Sequence, residues 1–249
     1  MSKVMLITGA GRGIGAATAR LAAQRGYAVA VNYRSDEAAA TSVVADIEAA
    51  GGRAIAIRAD VAVEADILAM FETVDRELGR LDVLVNNAGV VDQVCRVEDM
   101  DAERIDRMMR INVTGPFICA REAIKRMAKR HGGQGGQGGA IVNVGSAASH
   151  LGGADEYVDY AASKGAIDTM TEGLSKEVAG DGIRVNTVRP GVVRTTIHAS
   201  GGNPEKTDVA GSVIPMGRIG EPEEIAEGVL WLAEAGFTTG ALVDIDGGV

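Results

Sequence analysis

Short apolar segments alternate with longer amphipathic segments along the whole chain. The short segments are rich in Val and Ile and apolar on both faces, which is typical of strands buried in a parallel sheet. They predict strands over 4–8, 28–32, 54–58, 82–87, 140–144, 183–188 and 241–246. Between them, helical stretches with apolar residues every three or four positions are predicted over 14–25, 36–50, 64–78 and 157–179.

Repeated strand–helix units predict parallel strands joined by right-handed crossovers. The fold class is therefore α/β: a single Rossmann-like, doubly wound domain with a seven-stranded parallel sheet and helices on both faces. No break in composition divides the 249 residues, so we expect one domain over 1–249. Asp101 and the pair Glu221 and Pro222 predict two further helix starts, because acids and proline are favoured in a first turn.

Two segments lack a periodic pattern. The glycine-dense segment 131–139 predicts a flexible surface connection, because so much glycine holds no fixed site without a large entropic cost. The segment 195–220 follows the sixth strand and is rich in Gly, Pro, Ser and Asn. We expect it to be a lid or a disordered loop over the carboxyl edge of the sheet, where ligands bind in such folds.

Composition and charge exclude several classes of protein. The 25 Lys+Arg and 34 Asp+Glu residues give a net charge of −9, which argues against nucleic-acid binding. Cys95 and Cys119 are too few for a disulfide framework, and the three histidines lack metal-ligand spacing, so no metal site is expected. We expect both cysteines to be reduced core residues. With no signal-peptide or membrane-spanning pattern, a soluble cytoplasmic protein without membrane partners is expected.

A glycine-rich turn follows the first predicted strand and opens into a helix. In TGAGRGIG (8–15), one glycine permits the sharp turn, another lets a pyrophosphate approach the backbone, and a third permits close packing of helix and strand. The amino terminus of the helix then offers free N–H groups to phosphate oxygens. This context predicts a nucleotide-binding loop, and the absence of a Gly-Lys-Ser/Thr ending disfavours ATP hydrolysis.

The end of the second strand indicates which dinucleotide is bound. An acid at this position accepts the ribose 2′-hydroxyl of NAD, whereas an arginine accommodates the 2′-phosphate of NADP. The chain has Tyr33 and Arg34 here, with Arg12 expected nearby in the glycine loop. We therefore predict NADP(H) over NAD(H), with NAD(H) as an alternative. Two other interpretations of Arg34 remain open, a solvated surface cation or a partner of Asp36.

Tyr160 and Lys164 are four residues apart at the start of a predicted helix, so their side chains project to the same side. A neighbouring ammonium favours the phenolate, which makes a tyrosine usable as a general acid or base. Ser146 stands immediately after the strand 140–144, with Ser149 as a competing candidate further into the loop. Asn112 lies within a predicted helix, where asparagine has mediocre propensity.

In this order, TGAGRGIG, NNAG (86–89), Asn112, Ser146, YAASK (160–164) and Pro190-Gly191 resemble the classical short-chain dehydrogenase/reductase family over essentially the whole chain. The resemblance implies an NAD(P)-dependent oxidoreductase that transfers a hydride between a nicotinamide cofactor and a small carbonyl or alcohol substrate. Tyr160 would be the general acid or base, and Lys164 would bind the nicotinamide ribose and lower the pKa of the tyrosine. Ser146 would hydrogen-bond the substrate oxygen, and Asn112 would hold a water in a proton relay.

The resemblance also implies the cofactor contacts and the assembly. The expected cofactor-binding residues are Gly9, Gly11, Arg12, Gly13, Ile14, Gly15, Tyr33, Arg34, Asp60, Val61, Asn87, Ala88, Gly89, Tyr160, Lys164, Pro190, Gly191, Val193 and Thr195. A homotetramer is implied, built partly from the helices that carry Asn112 and Tyr160. Small residues along 157–179 are compatible with close approach of another helix, and equally with packing on the chain's own sheet.

Several functions compete. A sugar or polyol dehydrogenase of the glucose 1-dehydrogenase kind is favoured over a 3-oxoacyl-acyl-carrier-protein reductase. Acidic residues near the predicted site would repel an acidic carrier protein: Asp155, Glu156, Asp159, Glu177 and Asp181. A non-catalytic NADP-binding sensor or scaffold is the alternative from another class. A hydrolase is disfavoured because Ser146 is not in a Gly-x-Ser-x-Gly turn.

Overall fold

The computed structural model describes residues 2–131, 137–195 and 214–249. Seven parallel strands form one sheet in the order β3-β2-β1-β4-β5-β6-β7. The strands are β1 Val4–Ile7, β2 Ala28–Tyr33, β3 Arg53–Arg58, β4 Leu81–Asn86, β5 Gly139–Val144, β6 Ile183–Pro190 and β7 Leu242–Ile245. The order reverses between β1 and β4, and a ligand crevice is expected at such a switch point.

Eight α-helices of the described residues connect the strands. They are α1 Gly13–Gln24, α2 Glu37–Ala49, α3 Glu64–Glu77, α4 Ala102–Met109, α5 Gly115–Met127, α6 Ala148–Leu151, α7 Val158–Val178 and α8 Pro222–Glu234. Helices α1, α2 and α8 pack on one face of the sheet, and α3, α5 and α7 on the other. The predicted doubly wound sandwich is confirmed.

The strands are apolar on both faces because both faces are covered. In β1, Val4 and Leu6 belong to one core layer, while Met5 and Ile7 belong to the other. All four residues are buried. Burying each such side chain contributes about 1.5–3 kcal/mol, so the continuous apolar run specifies a central strand.

Both predicted helix starts are confirmed. Asp101 precedes α4, and its carboxylate accepts a hydrogen bond from Arg104 N at 2.7 Å. Glu221 precedes α8, forms a capping box with Glu224, and is followed by Pro222 in the first turn. These contacts satisfy N–H groups that a helix otherwise leaves without partners.

One prediction from the sequence was wrong, and two others concern segments that lie mostly outside the described residues. Cys119 is buried, but Cys95 is only partly buried in the segment after β4, so the prediction of a core residue was wrong for Cys95. Most of the glycine-dense segment and of the expected lid, residues 132–136 and 196–213, lies outside the described residues. In the described part of the chain, no helix combines the length and the apolar character needed to cross a membrane.

Candidate active site

A cavity of about 830 Å³ lies at the carboxyl edge of the sheet. Its wall contains nearly all of the predicted site residues: Gly9, Gly11, Arg12, Gly13, Ile14, Tyr33, Arg34, Asp60, Val61, Asn87, Ala88, Gly89, Ser146, Tyr160, Lys164, Pro190, Gly191, Val193 and Thr195. Gly15 and Asn112 are not part of this wall. Residues from six strand ends are thereby brought together around one space.

The glycine loop has the shape that a phosphate needs. Gly9 and Gly13 have positive φ angles of 63° and 54°, which residues other than glycine rarely adopt. A Cβ on Gly15 would lie 2.5 Å from Asn87 Nδ2, so this glycine lets α1 pack against the end of β4. No side chain caps the start of α1, and its first turn has no acid. The backbone N–H groups of this first turn are therefore available to bind a phosphate.

Thr8 holds the glycine loop to the end of β4, a role that the sequence interpretation missed. Its hydroxyl accepts hydrogen bonds from Asn87 N and Ala88 N, both at 3.0 Å. Asn87 Nδ2 donates in return to Thr8 O at 2.8 Å and Gly9 O at 3.0 Å. Asn87 therefore fixes the loop as well as lining the cavity.

Asn32 is a second residue that the sequence interpretation missed. Its Oδ1 accepts from Gly9 N at 3.1 Å, and its Nδ2 donates to Ala59 O at 3.0 Å. Asn32 is buried at the end of an otherwise apolar strand. A lone amide at such a strand end is the sequence signal for this role, because a buried polar group requires hydrogen-bond partners.

Near β2, the cavity wall carries two arginines beside the carboxylates of Asp36 and Asp60. Arg12 and Arg34 are both exposed, line the cavity, and have no ion-pair partner among the described residues. Asp36 caps α2 by accepting a hydrogen bond from Ala39 N at 3.0 Å, and it does not pair with Arg34. The interpretation of Arg34 as a partner of Asp36 is therefore not what the structure shows. Two unpaired guanidinium groups fit a bound phosphate.

Asn112 lies behind the cavity in a π-helical turn, Arg110–Thr114. Its Oδ1 accepts from Val90 N at 2.9 Å, and its Nδ2 donates to Val90 O at 2.9 Å and Ser163 Oγ at 3.1 Å. Ser163, also missed from the sequence, donates to Tyr160 O at 2.7 Å. The side chain of Asn112 therefore ties the segment after β4 to the helix that carries Tyr160.

Lys164 and Tyr160 have pKa values set mainly by burial. Burial lowers the pKa of Lys164 to about 8, opposed by the carboxylate of Asp168. Burial raises the pKa of Tyr160 to about 12, opposed by a hydrogen bond with Ser146. This differs from the lowered tyrosine pKa that the resemblance implies. Lys164 Nζ lies 5.7 Å from the centre of the Tyr160 ring and donates to Val144 O at 2.8 Å.

Ser146, and not Ser149, lines the cavity. Ser146 Oγ accepts a hydrogen bond from Ala148 N at 3.1 Å, which orients the hydroxyl at the end of β5. Tyr157 packs edge-on against Tyr160, with ring centres 5.7 Å apart. Among the described residues, no group of three or more His, Cys, Asp or Glu side chains is arranged to hold a metal ion.

A doubly wound sheet with a glycine loop, and a cavity carrying a Tyr–Lys–Ser group, define a Rossmann-type oxidoreductase. A family model described as Enoyl-(Acyl carrier protein) reductase matches residues 9–249. The chain belongs to the short-chain dehydrogenase/reductase family.

Relatives of known sequence or structure align with this chain over nearly its full length. An Escherichia coli K12 protein described as uncharacterized oxidoreductase YgfF is 53% identical over 98% of this chain and 99% of its own. A short-chain dehydrogenase/reductase from Serratia marcescens superposes with a TM-score of 0.89 at 35% identity, covering 99% of this chain and 97% of that one. A short-chain dehydrogenase from Burkholderia cenocepacia, solved with NADP, has a TM-score of 0.88 at 35% identity, with the same coverage.

Proposed function

We propose that this oxidoreductase uses NADP(H) to reduce a small carbonyl compound, or to oxidise the matching alcohol, with Tyr160 as the general acid or base. The observation that carries the proposal is the single cavity that has Tyr160, Lys164 and Ser146 in one part of its wall and Arg12 and Arg34 in another. This arrangement supports both a reacting group and a recognition site for a 2′-phosphate.

The nicotinamide cofactor supplies the hydride in the reductive direction. Burial raises the pKa of Tyr160, so the phenol is protonated at neutral pH and can give its proton to the substrate oxygen as that oxygen becomes basic. Ser146 holds that oxygen through a hydrogen bond. Lys164 contributes a positive charge beside the tyrosine ring, which stabilises the phenolate left after proton transfer. The glycine loop, Arg12 and Arg34 hold the phosphates.

The cofactor preference is tested by comparing kcat/KM for NADPH and NADH. Each charge-assisted hydrogen bond contributes roughly 1.5–3 kcal/mol, so one good arginine contact gives about tenfold to hundredfold preference for NADPH. Tyr33→Asp combined with Arg34→Ala should reverse it, because an acid repels the phosphate and accepts the 2′-hydroxyl. The matched control is Arg53→Ala, because Arg53 is exposed and begins β3, at the end of the strand away from the cavity. Equal kcat/KM values in the wild type would contradict the proposal.

The substrate side of the cavity supports a carbonyl compound with an apolar body. Outside the predicted cofactor contacts, the cavity wall includes Ala147, Ala148, Leu151, Tyr157, Val192 and Ile214, together with the carboxylate of Glu156. Along the described part of this wall, a polyol would find few side-chain partners for its hydroxyl groups, which costs binding energy. We therefore rank the sugar or polyol substrate below an apolar aldehyde or ketone.

The charge argument against an acyl carrier protein is weaker in the structure than in the sequence. Asp159 is buried against Arg104, and Asp181 is buried against Arg130. Neither adds to an acidic docking face. A panel of apolar ketones, sugars and acyl thioesters, followed through NADPH absorbance, ranks these classes. Tight NADPH binding without turnover on any of them would favour the sensor alternative.

We further infer a homotetramer of single-domain subunits, 1–249, in the cytoplasm. The support for the tetramer is one face of α7, where a Cβ added to Gly165 or Gly173 would meet no neighbouring atom of the described residues within 4 Å. Phe117 on α5 adds a half-exposed aromatic ring. Such surfaces let another helix approach closely.

A further inference from the structure

Arg104 makes a buried fork-shaped contact next to the catalytic helix. Its Nε donates to Asp159 Oδ2 at 2.8 Å and its second terminal nitrogen donates to Asp159 Oδ1 at 3.2 Å. The arginine side chain is 11% exposed and the aspartate side chain 3% exposed. Buried charges are retained only when they are paired and hydrogen-bonded, so this pair constrains the two helices that carry it.

Asp159 also contacts the backbone of Tyr160, so the ion pair fixes the start of the helix that carries the tyrosine. The aspartate lies in the first turn of α7, and its Oδ1 also accepts a hydrogen bond from Tyr160 N at 2.9 Å. The residue before α7, Tyr157, makes no side-chain capping contact. The Asp159 carboxylate therefore satisfies an N–H group of the first turn of α7, and Arg104 fixes that carboxylate.

Arg104 also reaches the segment between β4 and α4. Its remaining terminal nitrogen donates to Gln93 O at 2.7 Å. The same segment is held at Val90 by Asn112 and at Cys95 N, which donates to Glu156 O at 2.9 Å. Residues 90 and 91 of this segment line the cavity. One guanidinium thus joins a wall of the cavity to the start of the helix that carries Tyr160.

We propose that Arg104 is a positioning residue, which sets Tyr160 and the segment 90–95, whose residues 90 and 91 line the cavity, at a fixed separation through Asp159 and the Gln93 carbonyl. The inference rests on the proposed carbonyl reduction, since it concerns where the reacting oxygen sits relative to the phenol. Arg104 lies in α4, outside the cavity wall, and touches no reacting atom. Its loss should therefore disturb orientation of the substrate and leave the phosphate-binding end unchanged.

The first test is Arg104→Gln, compared with Arg20→Gln. Arg20 also makes a two-nitrogen contact with one carboxylate, Asp46, but on the exposed surface of α1 and α2. Misplacement of a reacting group by about 1 Å costs up to about 100-fold, so we expect kcat for the carbonyl to fall at least about tenfold in Arg104→Gln. The dissociation constant for NADPH, from fluorescence titration, should change less than about twofold. Arg20→Gln should change neither quantity.

Two further variants separate positioning from charge compensation. Arg104→Lys keeps the charge but not the planar fork, so it should not restore kcat. Arg104→Gln with Asp159→Asn removes both charges and avoids an unpaired buried carboxylate, yet glutamine is too short to keep the Gln93 contact. This double variant should remain folded with low kcat. Wild-type kcat in the double variant would overturn the proposal, because charge balance would then be the whole role of the pair.

Hydrogen exchange gives a readout that needs no substrate. Backbone amides of residues 90–95 and of the first turn of α7 should exchange faster in Arg104→Gln, while those of α1 and α2 stay unchanged. Unchanged exchange in both segments would overturn the coupling. A wild-type protein without turnover on any carbonyl would instead count against the proposed function, and the exchange result would still decide the coupling. If the wild type turned over a carbonyl and the Arg104 variants had the same kcat, only this inference would be overturned.

Discussion

Tyr160 and Lys164 share one face of α7 but meet different surroundings. Lys164 donates to the last carbonyl of β5 and is almost fully buried, with the carboxylate of Asp168 one turn further along the helix. Tyr160 meets the hydroxyl of Ser146 and the edge of Tyr157. Burial favours the neutral form of both groups, so Tyr160 keeps its proton while Lys164, with a pKa of about 8, is still a cation near neutral pH; the two are therefore suited to separate roles, one as proton donor and one as a nearby charge.

Removal of one hydroxyl tests the first of these roles. Tyr160→Phe should lower kcat by about 100-fold to 10,000-fold, the usual contribution of a general acid, with NADPH affinity nearly unchanged. Steady-state kinetics and fluorescence titration measure the two quantities. Tyr27→Phe is the matched control, because Tyr27 is buried just before β2, at the opposite end of the strand from the cavity. If the Tyr160→Phe variant kept more than about a third of wild-type kcat, Tyr160 would not be the proton donor.

The second role predicts a pH dependence. Lys164 is a cation below its pKa of about 8 and neutral above it, so kcat/KM for NADPH should fall as the pH rises through about 8. Asp168→Asn removes the carboxylate that raises the pKa of Lys164, so the fall should begin at lower pH. Asp244→Asn is the control, since Asp244 shares Arg189 with Asp168. A profile without any bend between about pH 7 and pH 9 would argue against Lys164 as the charged group.

At the scale of elements, sequence patterns reveal features that depend on burial, but not those that depend on hydrogen-bond register or on tertiary contacts. Apolar periodicity shows which face of a segment is buried, so the seven strands and the helices α1, α2, α3 and α7 were predictable to within about two residues. It does not show whether an N–H group bonds four or five residues back, so the π-helical turn around Asn112 was not predictable. The Arg104–Asp159 pair was also hidden, because it depends on tertiary approach of residues far apart in the chain.

Close packing of α1 on the sheet yields an element-scale prediction. A Cβ on Gly15 would lie 2.5 Å from Asn87 Nδ2 and 2.6 Å from Gly9 O, so Gly15→Ala must push α1 outward. Overpacking typically costs about 1–3 kcal/mol, and the displaced glycine loop should also lose NADPH affinity. Thermal unfolding and NADPH titration measure these effects. At Gly236, where a Cβ meets no atom within 4 Å, the same substitution should be tolerated. Equal behaviour of both variants would contradict the packing role.

At the scale of the whole molecule, the proposed tetramer can be tested at the outer face of α7. Light scattering at micromolar concentration should give the mass of a tetramer. Gly173→Gln places a long side chain on this face and should reduce the mass, because helices then no longer approach closely. Gly180→Gln, just after α7 and equally free of contacts, should leave the mass unchanged. A monomeric wild type would exclude the tetramer.

The position of β1 between β2 and β4 has a consequence for synthesis of the chain. β1 is made before its second neighbour, Leu81–Asn86, and before the Asn87 side chain that secures the glycine loop. Until then, one edge of a fully apolar strand has no partner, and such edges invite association between chains. Tyr160 and Pro190 arrive later still. A nucleotide therefore has no complete site until the chain has been made as far as Pro190, and stabilisation by the bound nucleotide is available only from that point.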